Sequence, residues 1–327
     1  MNQSELLRNF GDDEDIRPEV KSLISSLPSY TDVEGKKLCN YQGCWYYYKN
    51  LQAVLDYQKN FKPLDTDIIV TSYPKSGTTW LKALTVALLQ RSEDGLQNHP
   101  LTSDSPHGLV PFLEMKLYLK SSTPDLTNLS SSPRLFSTHM PLHTLREPLK
   151  DSPCKIVYVC RNVKDVIVSL WHFRSRIENK EAERSKLESI VESFCKGVNN
   201  YGPFWDNVLS YWKGSLEDPD HVLFMRYEDL KEEPYDQVIR LAEFLGCPFT
   251  QEEIHSGSVE KILDLCSLDN LRNLDINKSG IAWNKLHHSI FFRKGEVDDW
   301  KNHLTTEMAD KIDMIIHEKF QGSGLRI

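Results

Sequence analysis

Short apolar runs that end in polar, chemistry-bearing residues recur along this chain, and most of them lead into a stretch of helical periodicity. Asp67-Ile68-Ile69-Val70-Thr71-Ser72 is β-branched and has the length of a buried strand. Pro74, Ser76 and Gly77 break it. From Thr78 onward Leu81, Leu84 and Leu88 share one helical face, with Ala83, Val86, Ala87 and Leu89 beside them. Arg134–His139 and Lys155–Cys160 read as further strands, the second followed by a helix over Asp165–Phe173. Val222–Tyr227 is another, and Glu228-Asp229-Leu230 leads from it into a helix across Val238–Leu245. This alternation predicts an α/β fold: a single domain with a central parallel sheet flanked by helices on both faces.

The remaining pattern fills in around the sheet. Amphipathic stripes predict helices over Val20–Leu27, Leu51–Phe61, His107–Tyr118 and Glu307–Phe320, and a charged helical scaffold over Arg174–Asn199 with Ile190 and Phe194 inward. Leu263–Asn277 reads as helix or turn, Ser92–Ser105 and Ser121–Pro133 as surface connections. Cys39–Tyr48 is an aromatic cluster of core or lid character. No repeat or low-complexity linker divides the chain. Residues 1–35 read as a mobile acidic N-terminal segment, and residues 36–327 as one domain.

The candidate chemistry sits at strand ends. A strand feeding a Gly/Ser/Thr loop that opens a helix aims several backbone N–H groups at one point, which is a site for phosphate or sulfate. Lys75 adds a positive charge there, and Thr78 and Thr79 add hydroxyl donors. The stretch is not a Walker A loop, because its lysine precedes its glycine. His139 and Tyr227 close two of the other strands, and ligands of open α/β sheets lie beyond the carboxyl ends of strands. Arg161 follows a third. Ser169 lies about two helical turns further on, within reach of the same ligand if the Arg161 loop folds back. Arg293-Lys294-Gly295 sets two cations beside a flexible residue, a second phosphate clamp.

Charge and composition narrow the partners. A net charge of −8 over 327 residues argues against a nucleic-acid binder, but not against a small anion held by local lysines and arginines. The seven cysteines form no C-x-x-C pair, the usage of reduced cytosolic thiols rather than of a disulfide frame or zinc site. The N-terminus lacks an apolar signal core, and no later run has membrane-spanning length. The reading is a soluble, cytoplasmic protein with no membrane or nucleic-acid partner. No carboxylate pair is set for magnesium, so no metal is expected.

Together these segments resemble the cytosolic sulfotransferase family from about Leu38 to Leu325. Tyr73-Pro-Lys-Ser-Gly-Thr-Thr-Trp80 is similar to that family's loop for a 5′-phosphosulfate. Cys160-Arg-Asn-Val-Lys-Asp-Val-Ile-Val-Ser169 is similar to its 3′-phosphate element, and Phe292-Arg-Lys-Gly295 to its closing loop. Tyr41-Gln-Gly-Cys-Trp45 and Gln321-Gly-Ser-Gly-Leu325 are similar to plant members, and Leu117–Ser122 with Pro133–Met140 looks closest to the hydroxyjasmonate branch. The resemblance implies a P-loop-like nucleotide-binding fold. It implies 3′-phosphoadenosine 5′-phosphosulfate (PAPS) as co-substrate, without a metal. The implied acceptor is a hydroxyl of a small organic molecule of hydroxyjasmonate, flavonoid or brassinosteroid type.

By the same resemblance His139 is the general base, a role suited to a group titrating near neutrality. Lys75 meets charge on the leaving 5′-phosphate, with the N–H groups of Ser76, Gly77, Thr78 and Thr79. Trp80 stacks on adenine and Tyr227 meets the adenosine portion, while Arg161, Ser169, Arg293, Lys294 and Gly295 hold the 3′-phosphate. Trp45, Phe112, His172 and the neighbourhood of Trp283 are expected to line the acceptor pocket. Departures from the family pattern are Ser137 in place of a lysine common in animal members, Leu268 in place of an aromatic partner for adenine, and Asp298 in place of glycine. The Asp298 carboxylate is expected to weaken donor binding. The animal dimer pattern survives only as Lys301, Thr305, Thr306 and Asp310, so monomer and homodimer both stay open. Two alternatives remain: a nucleotide-binding protein of this fold with little or no turnover, and an ATP-dependent kinase.

Overall fold

Helix α1 (Pro18–Ser26) comes first among the described elements and is followed by a small antiparallel sheet of β1 (Ser29–Thr31), β2 (Lys37–Tyr41) and β3 (Cys44–Tyr47). The structure, a computed structural model, describes residues 16–32, 35–91, 98–127, 129, 133–150 and 152–327. The expected acidic tail over residues 1–15, and parts of the two expected surface connections, lie outside the described residues.

After α2 (Tyr48–Asn60) come β4 (Ile68–Ser72), α3 (Thr78–Leu89), β5 (Leu135–Thr138), β6 (Lys155–Cys160) and α4 (Val163–Glu178). Helices α5 (Arg184–Cys195) and α6 (Phe204–Glu217), strand β7 (Val222–Arg226), α7 (Pro234–Leu245) and α8 (Thr306–Phe320) complete the main elements. The central sheet is parallel, in the order β5-β4-β6-β7. Its strands are buried on both sides because alternate side chains feed two separate clusters. Ile69, Phe136, Ile156 and Tyr158 face the layer of α2, α4 and α6. Ile68, Val70, Leu135, Val157 and Val159 face α3 and α7. At about 1.5–3 kcal/mol for each large apolar side chain removed from water, this two-sided burial is the main stabilising term.

Four local expectations change. The described part of residues 1–35 is packed onto the domain rather than set apart from it. Ile16, Val20 and Ile24 lie in the core at helical spacing, and Arg17 makes two hydrogen bonds to the buried Asp56 carboxylate, at 2.9 and 2.6 Å. The Cys39–Tyr48 cluster is a hairpin whose turn residues Gln42 and Gly43 both have positive φ, 52° and 79°. The helix expected over His107–Tyr118 is broken. A short helix, Pro106–Leu109, ends before Pro111, which cannot continue it. Phe112 then bridges to Ser137, and a π-turn follows over Leu113–Leu117. The stretch Arg174–Asn199 is two helices, α4 ending where Asn179 turns left-handed at φ 53° and α5 restarting at Arg184. Helix α6 had no counterpart in the sequence reading. All seven cysteines are free thiols, and among the described residues no helix is long and apolar enough to cross a membrane.

Candidate active site

The four strands of the central sheet end on one edge, and the chain leaving each carries a polar side chain to the same cavity of about 500 Å³. The loop after β4 brings Lys75, β5 brings His139, β6 brings Arg161 and β7 brings Tyr227. This is the crevice beyond the carboxyl ends of a parallel sheet.

The loop between β4 and α3 is built for an anion. Ser76 N–H donates to Tyr73 O at 3.1 Å to close a tight turn, and Lys75 sits at φ 72° within it. Gly77 has φ 110°, and a Cβ there would lie 2.8 Å from Tyr227 Cδ2, so both conformation and space demand glycine. Among the described residues no side chain caps α3, so the first N–H groups of this 12-residue helix have neither an intrahelical acceptor nor a described cap. Gly77, Thr78, Thr79 and Trp80 line the cavity at that end, where the helix dipole is positive. Lys75 Nζ lies 3.9 Å from the Phe173 ring centroid. Burial, then the charges of Arg293, Arg176 and Arg161, push its pKa down to about 7. Ser76 departs from expectation: its amide is used by the turn, and its buried hydroxyl lies outside the cavity wall.

His139 is held from three sides. Its Nδ1 lies 2.7 Å from Ser72 O, and a carbonyl can only accept, so Nδ1 carries the proton and Nε2 keeps its lone pair. Its backbone N–H donates to Glu114 Oε1 at 3.0 Å, while Thr138 Oγ1 donates to the other oxygen at 2.8 Å. Asn207 Nδ2 donates to His139 O at 3.0 Å. The expectation of a group titrating near neutrality is not met. Burial outweighs the Ser72 bond, Lys82 and Lys75 act with it, and the pKa falls to about 3.

Arg161, Ser169, Arg293 and Gly295 line the same cavity. Arg161 lies over the Tyr227 ring, 4.5 Å from its centroid, and donates to Glu296 O at 2.6 Å. Its Nε has no partner among the described residues. Asp165, fully buried, pairs with Arg161 at 3.3 Å and accepts from the backbone N–H groups of Asp298 and Trp300 at 2.9 and 3.0 Å, tying the Arg293–Trp300 segment to α4. Gly295 packs tightly: a Cβ would lie 2.9 Å from Leu268 Cδ2. Lys294 is outside the cavity wall. Arg293 and Lys294 both pair with the buried carboxylate of Asp299, which is held well below the usual carboxylate range by them. His172 and His303 approach the same carboxylate, with ligand atoms within 4.8 Å of one another, but two cations already neutralise it.

The expected repulsion by Asp298 is not what the geometry gives. Its carboxylate accepts from Lys301 Nζ at 2.6 Å and Trp300 Nε1 at 3.1 Å, half in solvent and off the cavity wall. Asp298→Gly is therefore expected to leave affinity for adenosine 3′,5′-bisphosphate within about threefold, since an exposed ion pair contributes little. Calorimetric titration of the variant against the parent checks this.

The third wall is aromatic: Phe112, Trp283, His107, Phe291 and Tyr201 surround the mouth below His139. Phe112 and the neighbourhood of Trp283 were expected there. Trp45 instead packs edge-on against Tyr30, and His172 packs tilted against Trp171 and edge-on to His303; neither lines the cavity. Glu114, Asp165, His107 and Lys82 went unread in the sequence as candidate functional residues.

Comparison with known proteins agrees with this geometry. The family described as "Sulfotransferase domain" matches residues 65–324. Cytosolic sulfotransferase 1 of Arabidopsis thaliana is 64% identical over 319 residues, covering 96% of each chain, and cytosolic sulfotransferase 5 of the same plant is 62% identical over 96% of this chain and 98% of its own. An Arabidopsis thaliana protein described as a putative steroid sulphotransferase superposes with a TM-score of 0.76 at 41% identity, covering 97% of this chain and 98% of its own. A mouse sulfotransferase in complex with PAP gives 0.66 at 25%, with 88% and 95% covered. With its parallel sheet, its uncapped helix end and its relatives all in accord, the chain belongs to the plant cytosolic sulfotransferase family.

Proposed function

We propose that this sulfotransferase moves the sulfuryl group of PAPS to the hydroxyl of a small organic acceptor, with His139 as general base. One observation carries the reading. The uncapped start of α3 with Lys75, and the unprotonated Nε2 of His139, open into one cavity from the adjacent strands β4 and β5. PAPS supplies the activated sulfuryl group. The residues fit it on physical grounds: Arg161 Nε is a buried donor with no partner among the described residues, and the amide groups at the start of α3 are uncapped. Arg161, Ser169, Arg293 and Gly295 would hold the 3′-phosphate, with Lys294 supporting through Asp299. Trp80 and Tyr227, whose ring centroids are 5.5 Å apart, would receive the adenosine portion beside Leu268.

In the transfer, His139 Nε2 takes the acceptor hydroxyl proton as the acceptor oxygen bonds to sulfur. The bond from sulfur to the 5′-phosphate oxygen breaks, and adenosine 3′,5′-bisphosphate leaves. Lys75 and the α3 amides stabilise the charge that grows on that oxygen. In-line positioning does the rest, as in phosphoryl transfer. The aromatic third wall favours an apolar acceptor bearing a hydroxyl, of hydroxyjasmonate, flavonoid or brassinosteroid type.

Incubation with ³⁵S-labelled PAPS and each of these three acceptor classes tests the reading. Labelled product from at least one is expected. Tight bisphosphate binding with no product from any of them would instead favour a binding protein. Turnover of ATP with magnesium in place of PAPS would favour a kinase.

A further inference from the structure

Beside His139 lies a buried carboxyl group with no part in the transfer itself. Glu114 is 0% exposed and belongs to the π-turn over Leu113–Leu117. It reaches across to the end of β5. Its Oε1 accepts from the His139 backbone N–H at 3.0 Å, and its Oε2 lies 2.8 Å from Thr138 Oγ1, which in turn accepts from the Met140 backbone N–H at 3.0 Å. Burial raises the Glu114 pKa against the opposing effect of these bonds. The contacts survive in either charge state. As a carboxylate Glu114 accepts from the Thr138 hydroxyl; as a carboxylic acid it donates to that oxygen's second lone pair, and the His139 amide keeps its acceptor in both. On its own side Glu114 belongs to the acceptor wall. Phe112 packs against the His139 ring at 4.9 Å between centroids, and Met115 O accepts from Trp283 Nε1 at 3.0 Å. Phe112, Met115 and Trp283 all line the cavity. One side chain thus joins the strand end that carries His139 to the wall against which an acceptor would rest.

We propose that Glu114 is a positioning residue for the transfer: by tying the end of β5 to the Phe112–Met115 wall, it fixes His139 Nε2 relative to the hydroxyl of the bound acceptor. The inference rests on the reading of His139 as general base. The bond from Nδ1 to Ser72 O anchors the ring to β4, and Glu114 anchors the backbone that carries the ring to a different element. Two anchors leave the imidazole one placement. Without the carboxyl group the His139 amide and the Thr138 hydroxyl lose their acceptors in a dry interior, and the strand end shifts to find others. A displacement of about 1 Å at a reacting group is enough to cost about 10²-fold in rate. The groups assigned to the donor stand on the start of α3 and on the arginine segments, so nucleotide binding does not share this dependence.

A double-mutant cycle on the full chain tests this, read by transfer from ³⁵S-labelled PAPS to the hydroxyjasmonate, flavonoid or brassinosteroid that the labelling assay above selects. Glu114→Ala is expected to lower kcat about 10²-fold. It is expected to leave the calorimetric dissociation constant for adenosine 3′,5′-bisphosphate within about threefold. Added to His139→Ala, the same substitution is expected to change kcat by less than about threefold, because the two act on one step. Glu114→Gln keeps an oxygen for the His139 amide and offers an N–H to Thr138 Oγ1, and is expected to restore kcat to within about tenfold of the parent. A merely structural prop would cost the same factor with or without the imidazole. That result, a glutamine variant no better than alanine, or an alanine variant at the parent rate overturns the role of Glu114 while leaving the base reading intact. His139→Ala at the parent rate, or no labelled product from the parent chain, overturns both. If Glu114→Ala fails to fold, Thr138→Val takes its place: a loss of about fivefold is expected alone and none beside His139→Ala. Equal losses in the two backgrounds, or no loss in either, overturn the proposal.

Discussion

Replacing His139 by alanine is expected to lower kcat by roughly 10²–10⁴-fold, the usual contribution of a positioned general base, while leaving the bisphosphate dissociation constant unchanged. The separation follows from the geometry. The imidazole packs among aromatic rings, with Phe112 and Tyr201 at 4.9 and 5.4 Å between ring centroids. Its proton is committed to Ser72 O, so only Nε2 can receive one. The pH profile carries a second signature. With the pKa pushed to about 3, His139 is already neutral in the empty enzyme throughout the range in which an ordinary histidine titrates. Since kcat/KM reports groups of the free enzyme, no acid limb near the usual histidine value is expected from it. Bound phosphates raise the pKa of a neighbouring imidazole, so the same nitrogen becomes a better proton acceptor once the donor is in place. An alanine variant that turns over at the parent rate sinks the assignment.

Lys75→Met is the second large effect: a fall in kcat/KM of about 10²–10³-fold, comparable to losing one preorganised donor from a transition-state anion site. Here binding changes too, and its pH dependence fixes the reason. Lys75 is a base whose pKa is lowered in the empty site, to about 7. Below that pH the ammonium is present and binding costs no proton. Above it the site holds mainly neutral amine, and the bisphosphate must take up a proton to gain its counterion. Affinity is therefore expected to fall as pH rises from about 7, by up to about tenfold per pH unit, until the pKa of the bound form is reached. Phosphate groups do not confuse this window, since their second ionisation lies near pH 6. Titration between pH 7 and 9 in buffers of different ionisation enthalpy counts the protons directly. Lys75→Met should lower that count by one; an unchanged slope would remove Lys75 from the anion site.

Much of this was legible along the chain. The strands around Ile69, Phe136, Val157 and Phe224 announce themselves by short β-branched or aromatic composition, and the structure puts each of them in the parallel sheet. The loop at Lys75–Gly77 is readable because a left-handed turn at a helix start needs glycine next in line, a local demand. His139, Arg161 and Tyr227 could be placed together before any coordinates, since parallel strands carry their C-terminal residues to one edge.

Less visible were the groups that meet only through burial. Glu114 is remote in sequence from His139, and a broken helix whose path Pro111 redirects brings them together. Asp299 takes the charge of Arg293 and Lys294, a pairing their spacing does not reveal because the intervening turn sets it. Trp45 and Tyr46 are neighbours with the same apolar character, yet the hairpin register sends one to the rim and the other into the core.

What the amino-acid order determined by itself was the repeating strand–helix grammar and the anion-seeking loop, because dihedral preference and apolar periodicity act between near neighbours. What only the folded molecule decided was which charges are neutralised, which hydroxyls face inward and how strongly each titratable group is shifted. Those depend on dielectric and distance across the whole interior, and residues far apart in the chain set both.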